Sequence, residues 1–394
     1  MKITQVKTYT FNINTGQSIR DPGNRELLTS PFKTWMFLKI ETDTELYGWG
    51  ECTVGWLAPA VDTTLHEWGE LLVGRNPLDV VAICDDITDR LPWKGGAMLG
   101  SAVAAINMAL YDISGKAWKV PVYQILGGKK RDRIRVYNGS LNFESVHRAR
   151  AEAAAAVKAG AMGLKGNPLE TRTWPMDYRA LEHSVRVVEA VREEVGPDVE
   201  LMLDTHASPN PALSIAFAQM VAPYRPLFLE EPCKVGSIAA LKEVSSKSPV
   251  PIATGEKLFT FRDFKQIIDE RACAFLQPDV SHGFGISNFL HIARLAEEAQ
   301  ILMAPHNAGG PVYFAALLQA DAVISNFLIQ EVWMMDQFDK YVDHDFRLIN
   351  GHIELNDRPG LGIEVREDFI SKLSYDKRRP YRQYWYADGS WKGW

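Results

Sequence analysis

The sequence predicts an α/β protein in which a compact N-terminal α+β domain is followed by a closed (β/α) barrel. The first indication is a block of strands followed by helices, which ends near Gly127 and Gly128. The second is a regular alternation of short apolar runs with helical segments from about residue 133 onward, which is typical of a parallel sheet. Seven or eight such units over about 200 residues favour a closed barrel over an open doubly wound sheet.

The N-terminal block contains three predicted strands followed by helical patterns, of which one is clear. Residues 2–12 alternate between apolar and polar side chains, and 35–42 and 47–52 are strand-like runs. The segment from Asn14 to Lys33 is too long for a hairpin turn, so we predict a separate loop there. Apolar residues at helical spacing predict a helix over 101–118.

In the second block the predicted strands and helices alternate without interruption. The strands are predicted at 135–137, 162–165, 199–204, 226–230, 251–254, 273–277, 301–304 and 326–330. The helices between them are predicted at 145–159, 177–195, 211–222, 236–246, 260–270, 286–299 and 311–323.

Composition excludes several classes of protein. The net charge of −6 gives no electrostatic reason to expect a nucleic acid or an anionic membrane as partner. No run of about 18 apolar residues is present, and the N-terminus lacks the apolar core of a signal peptide. The four cysteines lie far apart without a CxxC pair, which argues against a zinc site and predicts a cytoplasmic protein with reduced thiols.

Ionisable residues stand at or just after the carboxyl ends of the predicted barrel strands, the face on which barrel enzymes place their chemistry. From the third strand onward they recur roughly every 25 positions, about one βα unit. Any one of them could be a helix cap or a surface charge, but the set in register predicts a functional site. Its members are Lys165, Asp204, His206, Glu230, Glu256, Asp279, His306 and Glu331.

Three of these carboxylates, Asp204, Glu230 and Glu256, come from adjacent strands. They would repel each other strongly unless a cation neutralised them. Oxygen ligands with positions left for water and substrate suit Mg²⁺, so we predict a magnesium site. The neighbouring Glu231 points to the other face of its strand, and we expect it to be ion-paired.

Two histidines and a lysine complete the predicted chemistry. Asp279 can hold His306 in one tautomer and raise its basicity, so His306 is a candidate general base. His206 lies two residues after Asp204 and would face the same side if the strand continues, as a second acid or base. Lys165 could neutralise a substrate carboxylate, although simple pairing with the acids is the alternative. These groups suit proton abstraction next to a carboxylate, since that reaction needs concentrated positive charge.

The chain contains a K-x-N at 165–167 and a D-x-H at 204–206. Further short motifs are LEEP at 229–232, TGEK at 254–257, QPD at 277–279, PH at 305–306, QE at 330–331, GWGE at 48–51, LGG at 126–128, PGLGIEV at 359–365 and YADGSWKGW at 386–394. Together these motifs resemble the mandelate racemase group of the enolase superfamily over nearly the whole chain. Within that group, the K-x-N and the D-x-H are similar to the pattern of acid-sugar dehydratases such as D-galactonate dehydratase.

The resemblance implies a (β/α)7β modified TIM barrel with an N-terminal α+β capping domain that the C-terminal tail completes. The implied boundaries are 1–128 for the cap, 129–370 for the barrel and 371–394 for a tail that packs on the cap or on a neighbouring subunit. A homo-oligomer is expected on the same basis, with a small-molecule sugar acid as substrate.

The resemblance also implies roles. Asp204, Glu230 and Glu256 would bind Mg²⁺. His306, oriented by Asp279, would remove the proton at C2, and His206 would protonate the departing C3 hydroxyl. Glu331 and Lys165 would contact the substrate carboxylate. Asn167 would hydrogen-bond nearby, and because racemases of the group carry a base there, dehydration is favoured over racemisation.

In this group the cap loops set specificity, so Arg20, Arg25 and Trp35 are candidates to reach the distal end of the substrate. The loop that holds the two arginines is longer than expected, and residues 307–311 differ from the galactonate dehydratase pattern. Hexonates, pentonates, aldarates and anhydro-sugar acids therefore stay open as substrates. Cycloisomerisation or epimerisation through the same enolate is an alternative, as are a metal-dependent hydrolase and a non-catalytic sugar-acid sensor.

Overall fold

The computed structural model describes residues 1–14, 32–90, 95–143, 145–169, 178–234 and 236–376. Its N-terminal unit is an antiparallel sheet with strand order β1-β2-β3, against which helices pack. The strands are β1 (Ile3–Asn14), β2 (Phe32–Thr42) and β3 (Tyr47–Glu51). The helices are α1 (Ala58–Leu72), α2 (Val80–Asp89), α3 (Ala97–Trp118) and the short α4 (Val122–Ile125).

Helix α3 lies directly on β3. A Cβ atom at Gly48 or Gly50 would collide with the backbone of Ala109 or Ala105, so glycine allows the helix to approach the strand this closely. Among the described helices, α3 is the one that is long and apolar enough to cross a membrane by length and composition. However, 83% of its apolar window is buried inside the protein, as in a core helix.

The second unit is a ring of eight parallel strands with seven helices between them. The strands are β4 (Arg133–Leu141), β5 (Gly163–Gly166), β6 (Glu200–Asp204), β7 (Phe228–Glu230), β8 (Ile252–Thr254), β9 (Phe275–Leu276), β10 (Leu302–Met303) and β11 (Gln330–Val332). The helices are α5 (Val146–Lys158), α6 (Tyr178–Val195), α7 (Pro211–Val221), α8 (Ile238–Lys247), α9 (Phe261–Asp269), α10 (Gly285–Glu298) and α11 (Pro311–Asp321).

The ring closes where β11 pairs in parallel with β4 and where Met303 forms a bridge to Phe327. The predicted (β/α)7β barrel is thus confirmed. The last strand begins later than the predicted 326–330, because Phe327 makes an isolated bridge and continuous pairing starts only at Gln330.

After the barrel, the chain returns to the cap. Residues beyond β11 form a 3-10 helix (Met335–Lys340), four short strands and a last helical turn. The strands are β12 (Val342–Asp343), β13 (Leu348–Ile349), β14 (His352–Glu354) and β15 (Glu364–Val365), and the turn is α12 (Glu367–Ile370). Glu367 accepts hydrogen bonds from Tyr9 and Lys39 of the cap sheet. The Asn12 N–H donates to the Ser374 carbonyl. The domain boundaries at 128 and 370 stay a prediction, and the aromatic tail, 377–394, lies outside the described residues.

All four cysteines, Cys52, Cys84, Cys233 and Cys273, are buried and free. Burial raises the pKa of each thiol, to about 11 for Cys233 and to about 12 for Cys84 and Cys273. The thiolate, the reactive form, is therefore scarce at neutral pH.

Candidate active site

The predicted strand-end residues meet at the carboxyl end of the barrel. Lys165 lies in β5, Asp204 and Glu230 end β6 and β7 as a directly paired couple, and Glu331 lies in β11. Such placement follows from the fold, because all the parallel strands end at the same rim. These side chains are almost completely buried, so their charges interact in a site largely shielded from water.

Lys165 is surrounded by carboxylates. Its Nζ donates to both oxygens of Glu230 at 3.0 and 2.9 Å, and lies 3.0 Å from Glu331 Oε1 and 3.7 Å from Asp204 Oδ2. Burial lowers the pKa of Lys165, but the surrounding carboxylates raise it by a larger amount. The pKa of Lys165 therefore lies well above its usual range. Lys165 is therefore a permanent cation at the base of the site.

The single positive charge of Lys165 does not neutralise the carboxylates around it. Asp204, Glu230 and Glu256 each bring a carboxylate oxygen to within 4.8 Å of the others. Burial, followed by the charge of Asp204, raises the pKa of Glu230 to about 7. An excess of oxygen ligands at this spacing fits a divalent cation that prefers oxygen, and Mg²⁺ is such a cation.

His306 is held by Asp279, as predicted from the sequence. Its Nδ1 lies 2.7 Å from Asp279 Oδ2, and its Nε2 lies 3.3 Å from Glu256 Oε2. If Nδ1 carries the proton that Asp279 accepts, Nε2 is the basic nitrogen and points toward the triad. Burial lowers the pKa of His306, but Glu256 and the hydrogen bond to Asp279 raise it by a larger amount. The net effect is a pKa of about 10.

His206 reaches the triad by a different path from the predicted one. The strand ends at Asp204, and His206 has a positive φ of 45°, so the chain turns instead of continuing. The turn places the ring atom His206 Nε2 2.9 Å from Asp204 Oδ2. The backbone N–H of His206 donates to the other oxygen, Asp204 Oδ1, at 2.8 Å. The predicted proximity of His206 to Asp204 is confirmed, but the assumed extended geometry is wrong.

Asn167 contacts His206, and its expected contact with substrate stays a prediction. Its Oδ1 accepts the Leu169 N–H at 2.8 Å, which leaves its Nδ2 to face His206 Nδ1 at 2.9 Å. An amide nitrogen can only donate, so His206 Nδ1 must accept and its Nε2 carries the proton of the neutral ring. Asn167 thus directs that proton toward the triad.

Glu331 joins Lys165 to the segment after His306. Its second oxygen accepts the Asn307 N–H at 3.1 Å. Glu231, expected to be ion-paired, pairs with Lys257, which also lies 3.2 Å from Glu256. This expectation is confirmed.

Glu51, at the end of the GWGE motif, was not selected as a site residue from the sequence. It is fully buried and accepts hydrogen bonds from the Gly310 and Tyr313 N–H groups, at 2.5 and 3.0 Å, and from Thr53. A cap carboxylate therefore caps the N-terminus of α11, just after His306. Burial raises the pKa of Glu51 to about 7. The motif was a visible signal, but its partners lie some 260 residues away.

Lys33 was also missed, although it ends the long predicted loop. Its Nζ donates to the Ala308 carbonyl and lies 3.8 Å from the centroid of the Trp333 ring. Both partners belong to barrel segments that follow site residues, His306 and Glu331. No sequence pattern distinguished this lysine from the other polar residues of its segment.

Three cap residues were expected to contact the substrate: Trp35, Arg20 and Arg25. Trp35 is completely buried and packs against Phe37, Phe338 and Tyr341, so its indole belongs to an aromatic core. Its contact with substrate stays a prediction. Arg20 and Arg25 lie outside the described residues.

Comparison with protein families gives two matches. The mandelate racemase/muconate lactonizing enzyme N-terminal domain matches residues 8–127, and the enolase C-terminal domain-like model matches residues 147–369.

Individual proteins agree with these matches. A D-galactonate dehydratase from Verminephrobacter eiseniae is 35% identical and covers 100% of both chains. Another from Pectobacterium atrosepticum is 34% identical over 91% of this chain and 96% of its own. The solved structure of an enolase superfamily member from Salmonella Typhimurium has a TM-score of 0.82 at 25% identity, over 93% of this chain and 98% of that chain.

Proposed function

The chain belongs to the mandelate racemase/muconate lactonizing enzyme family of the enolase superfamily, and from this premise we propose that it is a Mg²⁺-dependent sugar-acid dehydratase. It removes the proton at C2 of the acid and expels the C3 hydroxyl, which gives a 2-keto-3-deoxy acid. D-galactonate is the first candidate substrate, because two relatives that match 91% and 100% of this chain are D-galactonate dehydratases. The enzyme class is a carbon–oxygen lyase.

Asp204, Glu230 and Glu256 would hold the metal, since their oxygens form the compact oxygen cluster of the rim. When bound, the cation would supply positive charge to the substrate carboxylate and to the enediolate, and would offset the attraction of Glu256 for a proton on His306. Lys165 adds a fixed positive charge to the same region.

The base is His306. The Asp279 carboxylate accepts the Nδ1 proton and fixes the ring, so the Nε2 lone pair is available to take the C2 proton. The pair of electrons from the broken C–H bond forms the enediolate of the carboxylate.

The acid is His206. Because Asn167 donates to Nδ1, the Nε2–H is the proton that can pass to the C3 hydroxyl. The C3–O bond then breaks with release of water, and the enol product tautomerises to the 2-keto acid. The proton that His306 took from C2 replaces the one that His206 gave up, which restores both rings. The observation that carries the proposal is this pair of histidines, each fixed at Nδ1 by a different neighbour, beside one carboxylate triad.

The test is a screen of the purified protein with Mg²⁺ against aldonic and aldaric acids, with semicarbazide detection of 2-keto-3-deoxy products. We expect a hit that is lost with EDTA and in His306→Asn. The matched control is His291→Asn, which changes an exposed histidine on the outer helix α10 and should keep full activity. No product from any acid, with Mg²⁺ binding demonstrated, would contradict the dehydratase assignment and favour a cycloisomerase or epimerase.

A further inference from the structure

Lys33 places a cation from the cap at the mouth of the barrel. It stands next to the first residue of β2, with its Cα paired to Ile13 of β1. Its ammonium lies between the Ala308 carbonyl and the Trp333 ring. Ala308 comes two residues after His306 and Trp333 two residues after Glu331, so the ammonium bridges two segments that carry the reacting site.

Lys33 differs from the other lysines of the site in its partners. Lys165 and Lys257 each form ion pairs with carboxylates at the rim. Across the ranges that the structure describes, no carboxylate oxygen lies within 4.0 Å of Lys33 Nζ. An ammonium carries three donors, and the Ala308 carbonyl uses one of them.

The position of Lys33 is unfavourable without a further partner. Burial lowers its pKa to about 8, and Glu51, Glu331, Asp279 and Glu256 oppose that effect only from a distance. Desolvated charges are normally paired, and an ammonium that lies against the segments after His306 and Glu331 without an ion pair indicates a place for an anionic ligand. Lys33 is partly exposed, so a ligand at the rim can reach it.

We propose that Lys33 is a substrate-binding and specificity-determining residue, whose ammonium donates to a carboxylate oxygen of the sugar acid held between cap and barrel. This inference rests on the proposed function. Two carboxylates are candidates: the one next to the reacting carbon, which all acid sugars carry, and the second carboxylate of a diacid. Comparing a monoacid with the matching diacid distinguishes them.

The experiment compares Lys33→Met with the wild-type protein on galactonate and galactarate. Methionine keeps most of the unbranched stem and removes the charge and the donors. The matched control is Lys39→Met, six residues further along the same strand. Lys39 is also buried but pairs with Glu41 and Glu367, away from the rim. We would measure KM and kcat, and the Kd of both acids for the Mg²⁺-loaded protein by calorimetry in a His306→Asn background that suppresses turnover.

We expect Lys33→Met to raise KM and Kd roughly 10- to 100-fold, which is the usual effect of losing a hydrogen bond to a charged group. A rise for galactarate alone would identify the second carboxylate, and an equal rise for both acids would identify the shared one. Lys39→Met should leave KM and Kd unchanged. Unchanged KM and Kd in Lys33→Met, with or without a fall in kcat, would overturn the proposal, because the lysine would then only support the His306 segment.

This result is separable from the test of the proposed function. If the wild-type protein binds an acid but turns over none, the dehydratase assignment fails, while the calorimetric comparison of Lys33→Met with Lys39→Met still tests the binding role. If the wild-type protein dehydrates an acid and Lys33→Met behaves as wild type, only the inference about Lys33 fails.

Discussion

His206 and His306 face the same carboxylate triad, but their neighbours are chemically opposite. Asn167 offers His206 a hydrogen-bond donor, whereas Asp279 offers His306 an acceptor. Two identical side chains are therefore prepared for opposite proton transfers, because the partner of Nδ1 determines whether Nε2 carries a proton or a lone pair.

Substituting each histidine separates the two half-reactions. In D₂O with Mg²⁺, His206→Asn should still exchange the C2 hydrogen of a sugar acid for deuterium, while dehydration falls about 10²- to 10⁴-fold. His306→Asn should lose both exchange and dehydration. Proton NMR of the recovered substrate measures exchange, and semicarbazide measures product. Exchange that persists in His306→Asn but vanishes in His206→Asn would mean that the two roles are reversed.

Asn167→Asp tests the orientation of His206. An aspartate would accept from Nδ1, so the neutral ring would lose its Nε2 proton, and we expect kcat to fall about 10- to 100-fold. Asn167→Ala removes the hydrogen-bond donor without introducing an acceptor, so kcat should fall less than in Asn167→Asp. Nitrogen-15 NMR of the labelled histidines would report the tautomer directly. A tautomer that is the same in the wild type and in Asn167→Asp would show that Asn167 does not select it.

At the residue level the sequence predicted the set of groups better than their contacts. Asp204, Glu230 and Glu256 were predictable because parallel strands deliver their end residues to one rim. The turn at His206 was not predictable, because a positive φ at a non-glycine residue leaves no clear sequence pattern. Lys33 and Glu51 act through partners more than 250 positions away, which no local pattern reveals.

Among the elements, α11 connects the base to the cap. It begins shortly after His306, and Glu51 of β3 accepts two N–H groups at its N-terminus. The Tyr313 hydroxyl in the first turn donates to the His306 carbonyl at 2.6 Å. The position of His306 therefore depends on a cap strand as well as on its own barrel strand.

Glu51→Gln should weaken this connection. The amide keeps one acceptor but turns an N–H group toward a backbone N–H, and we expect a loss of about 1–3 kcal/mol in the free energy of unfolding. Urea denaturation at several pH values measures this loss of stability. The control is Glu45→Gln, which changes an exposed glutamate of the cap between β2 and β3. Equal stability of Glu51→Gln and the wild type would argue against the capping role.

The same variant tests a pH dependence. The folded pKa of Glu51, about 7, lies above the ordinary value of 4.5, so the folded protein binds more protons than the unfolded chain between these values. The contribution of Glu51 to stability should therefore decline as pH rises from 4.5 to 7, and this decline should be absent in Glu51→Gln. If the stability of the two proteins changes with pH in the same way, Glu51 does not contribute this pH dependence.

The strands and helices of the barrel were predicted to within a few residues because apolar periodicity is strong in a barrel whose strands are buried on both faces. The exception is β11, where apolar residues run from 327 to 329 but ladder pairing begins only at Gln330. Hydrophobicity indicates burial of such a segment and not the start of its hydrogen bonds.

Considered as a whole, the molecule concentrates negative charge at one end of its barrel. The rim carboxylates outnumber the lysines that pair with them, in a protein with a net charge of −6. How the cap sits on this rim could not be predicted from the sequence, because it depends on contacts such as α3 on α10 and Glu51 on α11 that join distant segments.

Metal removal should therefore destabilise the whole protein. Mg²⁺ at 100 times its Kd would add about 2.7 kcal/mol to the stability of the folded state, because it binds that state alone. We expect the Tm to fall with EDTA and to recover with excess Mg²⁺. Asp204→Asn should lose this dependence on Mg²⁺, whereas Asp43→Asn, on the exposed turn after β2, should keep it. A wild-type Tm that does not respond to Mg²⁺ would contradict a magnesium site.

The burial of all four cysteines makes this chain suitable for site-directed labelling. With thiol pKa values well above neutrality, the native cysteines should react slowly with maleimides while the protein is folded. A single introduced thiol, such as Asp43→Cys in the cap or Glu270→Cys at the end of α9, would then take up a fluorophore selectively without removal of the native residues. With both thiols introduced and carrying a donor and an acceptor fluorophore, energy transfer would report the distance between the cap and the barrel in an otherwise unaltered enzyme.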